Sequence, residues 1–147
     1  MNRETNYLGN HNVRGAYVEH PWTKDELIEY KKCLDDPKYF AREYCKVHHL
    51  DKGLIHFDLY PYQEKMFDSF TSHRFNIVLA CRQSGKSIAV VAYLLWYVIF
   101  KGEQVVGILA NKNAIAREML SRITLMLENL PFFLQPGCTT LNKGSIG

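Results

Sequence analysis

The sequence has no CxxC pair, no long apolar run, no block of like charge and, after Ser87, no aspartate. Each absence removes a class of protein. Its four cysteines, Cys33, Cys45, Cys81 and Cys138, are widely spaced. Structural zinc is held by short-spaced pairs, so even Cys45 with His48 and His49 does not make a zinc site, and reduced thiols in a cytoplasmic protein are expected. The longest uninterrupted apolar stretch, Ile88–Phe100, has 13 residues. A bilayer-crossing helix needs ~20, so a soluble chain with no membrane contact and one buried helix is expected. The opening MNRETNYLGNHNVRG has no apolar core and does not read as a signal peptide. A net charge of +3 with scattered Lys and Arg permits a nucleic-acid partner without arguing for one.

What is present reads as a globular chain of mixed α/β type. Hydrophobic residues make up 47% of the 147 positions, enough to build a core. Residues 1–21 are polar and Asn/Gly-rich and read as a flexible leader. Residues 22–60 form a helical lead-in with a short strand and turn. Thr23 with Glu26 is a capping box for a first helix, and Asp36-Pro37 ends it and starts a second that runs to about Val47. Asp51-Lys52-Gly53 is a turn signal, and Ile55, Phe57 and Leu59 alternate as in a strand. From residue 61 the pattern is Pro61-led helix, apolar strand Phe75–Ala80, polar loop, apolar helix Ser87–Phe100, apolar strand Val105–Ala110, and an amphipathic helix stopped by Pro131. Strand, helix, strand implies parallel strands joined by a right-handed crossover, the logic of a three-layer α/β sandwich.

The loop between that strand and helix carries the chemistry. CRQSGKS, residues 81–87, ends in the closing half of a phosphate-binding loop, with Ala80 where the first glycine of GxxxxGK[ST] belongs. Such a loop works by aiming successive backbone N–H groups at phosphate oxygens, backed by the positive end of a helix. Cys81, Arg82, Gln83, Ser84, Gly85, Lys86 and Ser87 are therefore the expected ATP-binding residues. Gly85 lets the backbone approach closely, Lys86 reaches the β- and γ-phosphates, and Ser87 offers a hydroxyl to Mg²⁺. Arg82 lies within reach of a γ-phosphate. It is either a stabiliser of charge in phosphoryl transfer or a plain anion contact. About twenty residues upstream, Tyr62 and Gln63 suit an adenine, the ring stacking on the base and the amide pairing with its edge.

Taken together, these pieces resemble the large subunit of the tailed-bacteriophage terminase, the ATPase of the viral DNA-packaging motor. The resemblance rests on CRQSGKS, on LYPYQ at 59–63, on VVGILANK at 105–112, and on the LPFFLQPG and LNKGSI pieces, and covers the chain from about Trp22. It implies an ASCE-type P-loop NTPase domain with a short helical N-terminal extension, with 61–147 as its front portion. It further implies an adenine-binding role for LYPYQ and a catalytic role for Arg82 as an arginine finger in cis. The implied activity is a hydrolase coupling ATP hydrolysis to DNA translocation into the procapsid. The implied partners are double-stranded DNA, the portal protein and the small terminase subunit, with a homo-oligomeric ring in the full-length protein. The implied location is the host cytoplasm, at the portal vertex.

An ASCE ATPase needs an Asp for Mg²⁺ and a Glu to polarise water, both on a later strand. Only Glu103, Glu118 and Glu128 follow Ser87, and TLMLEN around Glu128 has helical spacing. The chain therefore reads as the front of the motor, lacking Walker B and the nuclease half. Two rivals are a different P-loop enzyme, such as a helicase, and a non-enzymatic truncated module that serves protein contacts.

Overall fold

The computed structural model describes residues 5–49 and 51–147, so residues 1–4 of the expected leader lie outside the described residues. The rest form five helices and four short strands. The remainder of the expected leader carries structure. Strands β1 (Asn6–Tyr7) and β2 (Asn10–Arg14) pair antiparallel, and Gly15 bridges Cys138.

Helix α1 (Lys24–Asp35) begins at the expected capping box. Thr23 Oγ1 accepts from the Glu26 N–H at 3.2 Å, while Glu26 Oε2 accepts from the Thr23 N–H at 2.9 Å. Helix α2 (Pro37–Tyr44) starts on Asp36, whose carboxylate accepts from the Lys38 N–H at 2.8 Å. It is shorter than expected, because Cys45 turns extended and its carbonyl accepts from the Phe57 N–H. Strand β3 (Lys46–His49) then pairs antiparallel with β4 (Gly53–His56). Gly53, at φ +68°, makes the turn, as Asp51-Lys52-Gly53 suggests. The strand lies a little earlier than the alternation of Ile55, Phe57 and Leu59 indicates.

Three longer helices follow: α3 (Pro61–Ser72), α4 (Lys86–Phe100) and α5 (Asn113–Glu128). Helix α4 is apolar all round and sits at the centre, packed by α2, α3 and α5. Its Ala89, Val91, Ala92, Leu95, Trp96 and Phe100 are buried in one cluster with Phe40, Phe67, Met126 and Leu127. Each Val, Leu or Phe so buried contributes about 1.5–3 kcal/mol. Trp96 Nε1 donates to the buried Cys33 carbonyl at 2.7 Å, which satisfies two polar groups that water cannot reach. Burial pushes the Cys33 thiol up to about 12, and both Cys33 and Cys45 are free thiols inside the core.

The two parallel strands expected at 75–80 and 105–110 are not formed. Among the described residues neither run pairs with another segment, and the sheets are two small antiparallel pairs. Ile77 is 100% exposed and Leu79 99%, while Val105 and Leu109 are each 98% exposed. The physical reason is the absence of neighbours. A strand is held by a ladder partner and by a layer on each face, and here Val106 and Ile108 are half-buried against a groove of about 710 Å³ bounded also by α4, α5 and residues 136–147.

The C-terminal segment is tied back to the N-terminal one. Gln135 is buried, the two N–H groups of its Nε2 shared among the carbonyls of Asn12 (2.9 Å), Leu127 (3.0 Å) and Leu130 (2.9 Å), and its Oε1 accepting from the Arg14 N–H at 2.8 Å. No helix among the described residues is long and apolar enough to cross a membrane.

Candidate functional site

The loop 81–85 leads straight into α4, as the sequence leads one to expect. Two of its residues lie in the left-handed region, Gln83 at φ +60° and Gly85 at φ +82°. For Gly85 that conformation is free of strain; for Gln83 it costs on the order of 1–3 kcal/mol, which the surrounding structure must over-determine. Left-handed residues within a tight loop turn main-chain N–H groups toward one concave side, the geometry of an anion nest. The first bond of α4 runs from the Ala89 N–H to the Gly85 carbonyl at 3.2 Å. The N–H groups of Lys86, Ser87 and Ile88 therefore have no intrahelical partner, and they carry the helix's partial positive charge.

The loop is closed on itself by one acceptor. The Cys81 carbonyl accepts from Ser84 Oγ at 3.0 Å and from Lys86 Nζ at 2.9 Å. Lys86 thus lies folded across the loop, held by a single neutral oxygen that a phosphate would outcompete as a charge-assisted acceptor. Arg82 is exposed and makes no hydrogen bond or ion pair among the described residues. Ser87 is half-buried at the start of the helix, with a hydroxyl oxygen of the kind that can ligate a hard cation.

Helix α3 presents its first turn to the same loop. Tyr60 and Tyr62 stack with ring centroids 6.1 Å apart and planes 12° from parallel, and both rings are exposed. Gln63 behaves differently from the base contact expected of it. It is 1% exposed, its Oε1 accepts from the Tyr60 N–H at 2.9 Å and its Nε2 donates to the Gly85 carbonyl at 3.1 Å. A methyl on Gly85 would meet Gln63 Nε2 at 2.9 Å and Tyr62 Oη at 3.4 Å. The structure therefore brings together Tyr62, Gln63, Gly85 and the start of α4, with Cys81, Ser84 and Lys86 linked beside them. Arg82 and Gln83 stand at the exposed crown of the loop.

Sequence reasoning missed the bond by which Gln63 Oε1 caps the Tyr60 N–H. The signal was there: Pro61 at the first helical position puts Gln63 third, where a Gln amide reaches back to the cap. Of the acids that follow Ser87, Glu128 is engaged elsewhere, its Oε1 accepting from Asn10 Nδ2 at 3.1 Å. No group of three or more His, Cys, Asp or Glu that could hold a metal occurs among the described residues. No known family profile matches the chain.

Proposed function

We propose that this chain is the ATP-binding front portion of a viral DNA-packaging ATPase of the terminase large-subunit type. The observation that carries the nucleotide part is the loop itself. Gly85 is left-handed at the mouth of an apolar helix, three N–H groups there have no hydrogen-bond partner among the described residues, and the Lys86 ammonium crosses the loop to the Cys81 carbonyl. The packaging part is supported by the resemblance of CRQSGKS, LYPYQ and the LQPG and NKGS pieces.

In this proposal the open N–H groups hold the β-phosphate, and Lys86 exchanges the Cys81 carbonyl for phosphate oxygens. Arg82, exposed at the crown, would reach the γ-phosphate. The Ser87 hydroxyl would hold Mg²⁺, which would supply charge neutralisation across the phosphates. Tyr60 and Tyr62 offer an aromatic face to the base. The runs 75–80 and 105–110 are then strand sequences of a P-loop sandwich whose remaining strands are supplied by further polypeptide. In the complete motor, double-stranded DNA, the portal protein and the small subunit are the partners, in a ring of like subunits.

The test is ligand binding by the 147-residue chain, followed by calorimetric titration with ATP and ADP. Lys86→Ala is expected to weaken both alike, by about 2 kcal/mol as a charge-assisted contact is lost. Arg82→Ala is expected to weaken ATP more than ADP. No binding of either nucleotide by folded protein would remove the nucleotide reading, and equal losses for Arg82→Ala would reduce Arg82 to a general anion contact.

A further inference from the structure

The buried amide of Gln63 joins the caps of two helices. Tyr60 is the cap of α3 and Gly85 the cap of α4, and Gln63 binds the N–H of the first and the carbonyl of the second. The orientation of the amide follows from its partners, since only its oxygen can accept from an N–H and only its nitrogen can donate to a carbonyl. Both polar atoms are thus committed to main chain, and the side chain is sealed from solvent. The Gly85 carbonyl also receives the first bond of α4, from Ala89. One side chain therefore restrains the peptide at which the loop turns into its helix.

We propose that Gln63 is a positioning residue for the phosphate loop. It holds Gly85 in the left-handed conformation that opens the N–H groups of α4, and acts on a bound nucleotide through that loop, while the base meets Tyr60 and Tyr62. The proposal deepens the nucleotide-binding reading of the loop and, for its ligand arm, rests on it. It differs from a base-reading Gln63 in what it makes of ligands that have no base. A loop-positioning residue affects every polyphosphate equally, whereas a base reader affects adenine nucleotides alone.

The test uses the whole chain with Gln63→Met, which keeps the volume and removes both hydrogen bonds. Gln63→Leu, a neutral side chain that likewise makes neither hydrogen bond, serves as the second variant in case the first folds poorly. ATP, GTP and inorganic tripolyphosphate are titrated into each. The expected result is one common loss for all three, about tenfold for the missing restraint, with the ATP-to-GTP ratio unchanged. A loss confined to ATP, with tripolyphosphate binding intact, overturns the proposal in favour of base reading. Amide hydrogen exchange on the ligand-free chain provides a readout independent of any nucleotide. Exchange across 81–89, Ala89 above all, is expected to quicken while α5 is unchanged. Unchanged exchange at 81–89, or quickening spread equally over α5, makes Gln63 an ordinary core residue and overturns the proposal. If the unmodified chain binds none of the three ligands, the nucleotide reading falls and the exchange result alone decides whether Gln63 restrains the loop.

Discussion

Replacing Gly85 by alanine strikes the one residue where loop, helix and Gln63 meet. Its cost can be worked from two numbers. The φ of +82° places an L-residue in the left-handed region, at roughly 1–2 kcal/mol. The new methyl would stand 2.9 Å from Gln63 Nε2, closer than real contacts allow, so the end of the Gln63 side chain must shift, and the expected shift breaks its bond to the Gly85 carbonyl. A buried donor and acceptor parted in this way cost about 1–3 kcal/mol. Gly85→Ala is thus expected to lower stability by about 2–5 kcal/mol, a large share of the 5–15 kcal/mol typical of a domain. Urea unfolding followed by Trp fluorescence measures it, through a lower midpoint at constant slope. Repeating the substitution in a Gln63→Ala background isolates the contact. There the methyl meets no amide, only the left-handed term remains, and the two changes together fall short of their sum by about 1–3 kcal/mol. Additivity within about 0.5 kcal/mol would refute the reasoning, since it would mean that Gly85 and Gln63 are energetically independent.

Two further outcomes test the fold. Gln135→Ala removes the side chain that bonds Asn12, Arg14, Leu127 and Leu130; it is expected to cost on the order of 3 kcal/mol and to raise hydrogen exchange in residues 10–15 before α4. Glu29 accepts from Lys32, Tyr39 and Tyr44, and these bonds, that from Lys32 foremost, hold its carboxyl below the ordinary 4.5. A carboxylate lowered by folding stabilises above its unfolded value and loses that contribution as pH falls through its folded value. Thermal melts should therefore drop as pH falls below 4.5, less steeply for Glu29→Gln; identical acid limbs would exclude Glu29 as a source of the slope.

The helices were legible because their signals are local. The Thr23–Glu26 box, Asp36-Pro37, Pro61 and Pro131 each act within a turn of their own position, and α1, α3, α4 and α5 lie within a few residues of where those signals put them. Strands answer to partners at a distance. Phe75–Ala80 and Val105–Ala110 have the apolar character of buried strands, but composition does not say whether a ladder neighbour is there to pair with them. The polar, Asn-rich segment that forms β1 and β2 has no strand signature; its order comes from Gln135 and Cys138, more than a hundred residues away. At the site, the loop and its helix were readable from GKS in context. The engagement of Gln63 with Gly85 joins positions 22 apart and emerges only once α3 is laid against α4.

The open run from Phe75 to Ala80 ends one residue before Cys81, whose carbonyl anchors both Ser84 and Lys86. Pairing the main chain of that run with another strand would fix the residue from which the loop departs. Fixing it would lower the conformational entropy that an anion must overcome on entering the loop. Thermodynamic linkage makes the relation reciprocal: whatever tightens phosphate binding by completing the sheet is itself bound more tightly when phosphate is present, by the same factor. If the loop binds an anion as proposed and a strand pairs with this run, sheet completion and anion capture would be two faces of one equilibrium. Its coupling would be carried by the short covalent step from Ala80 to Cys81, with no side-chain relay between the two events.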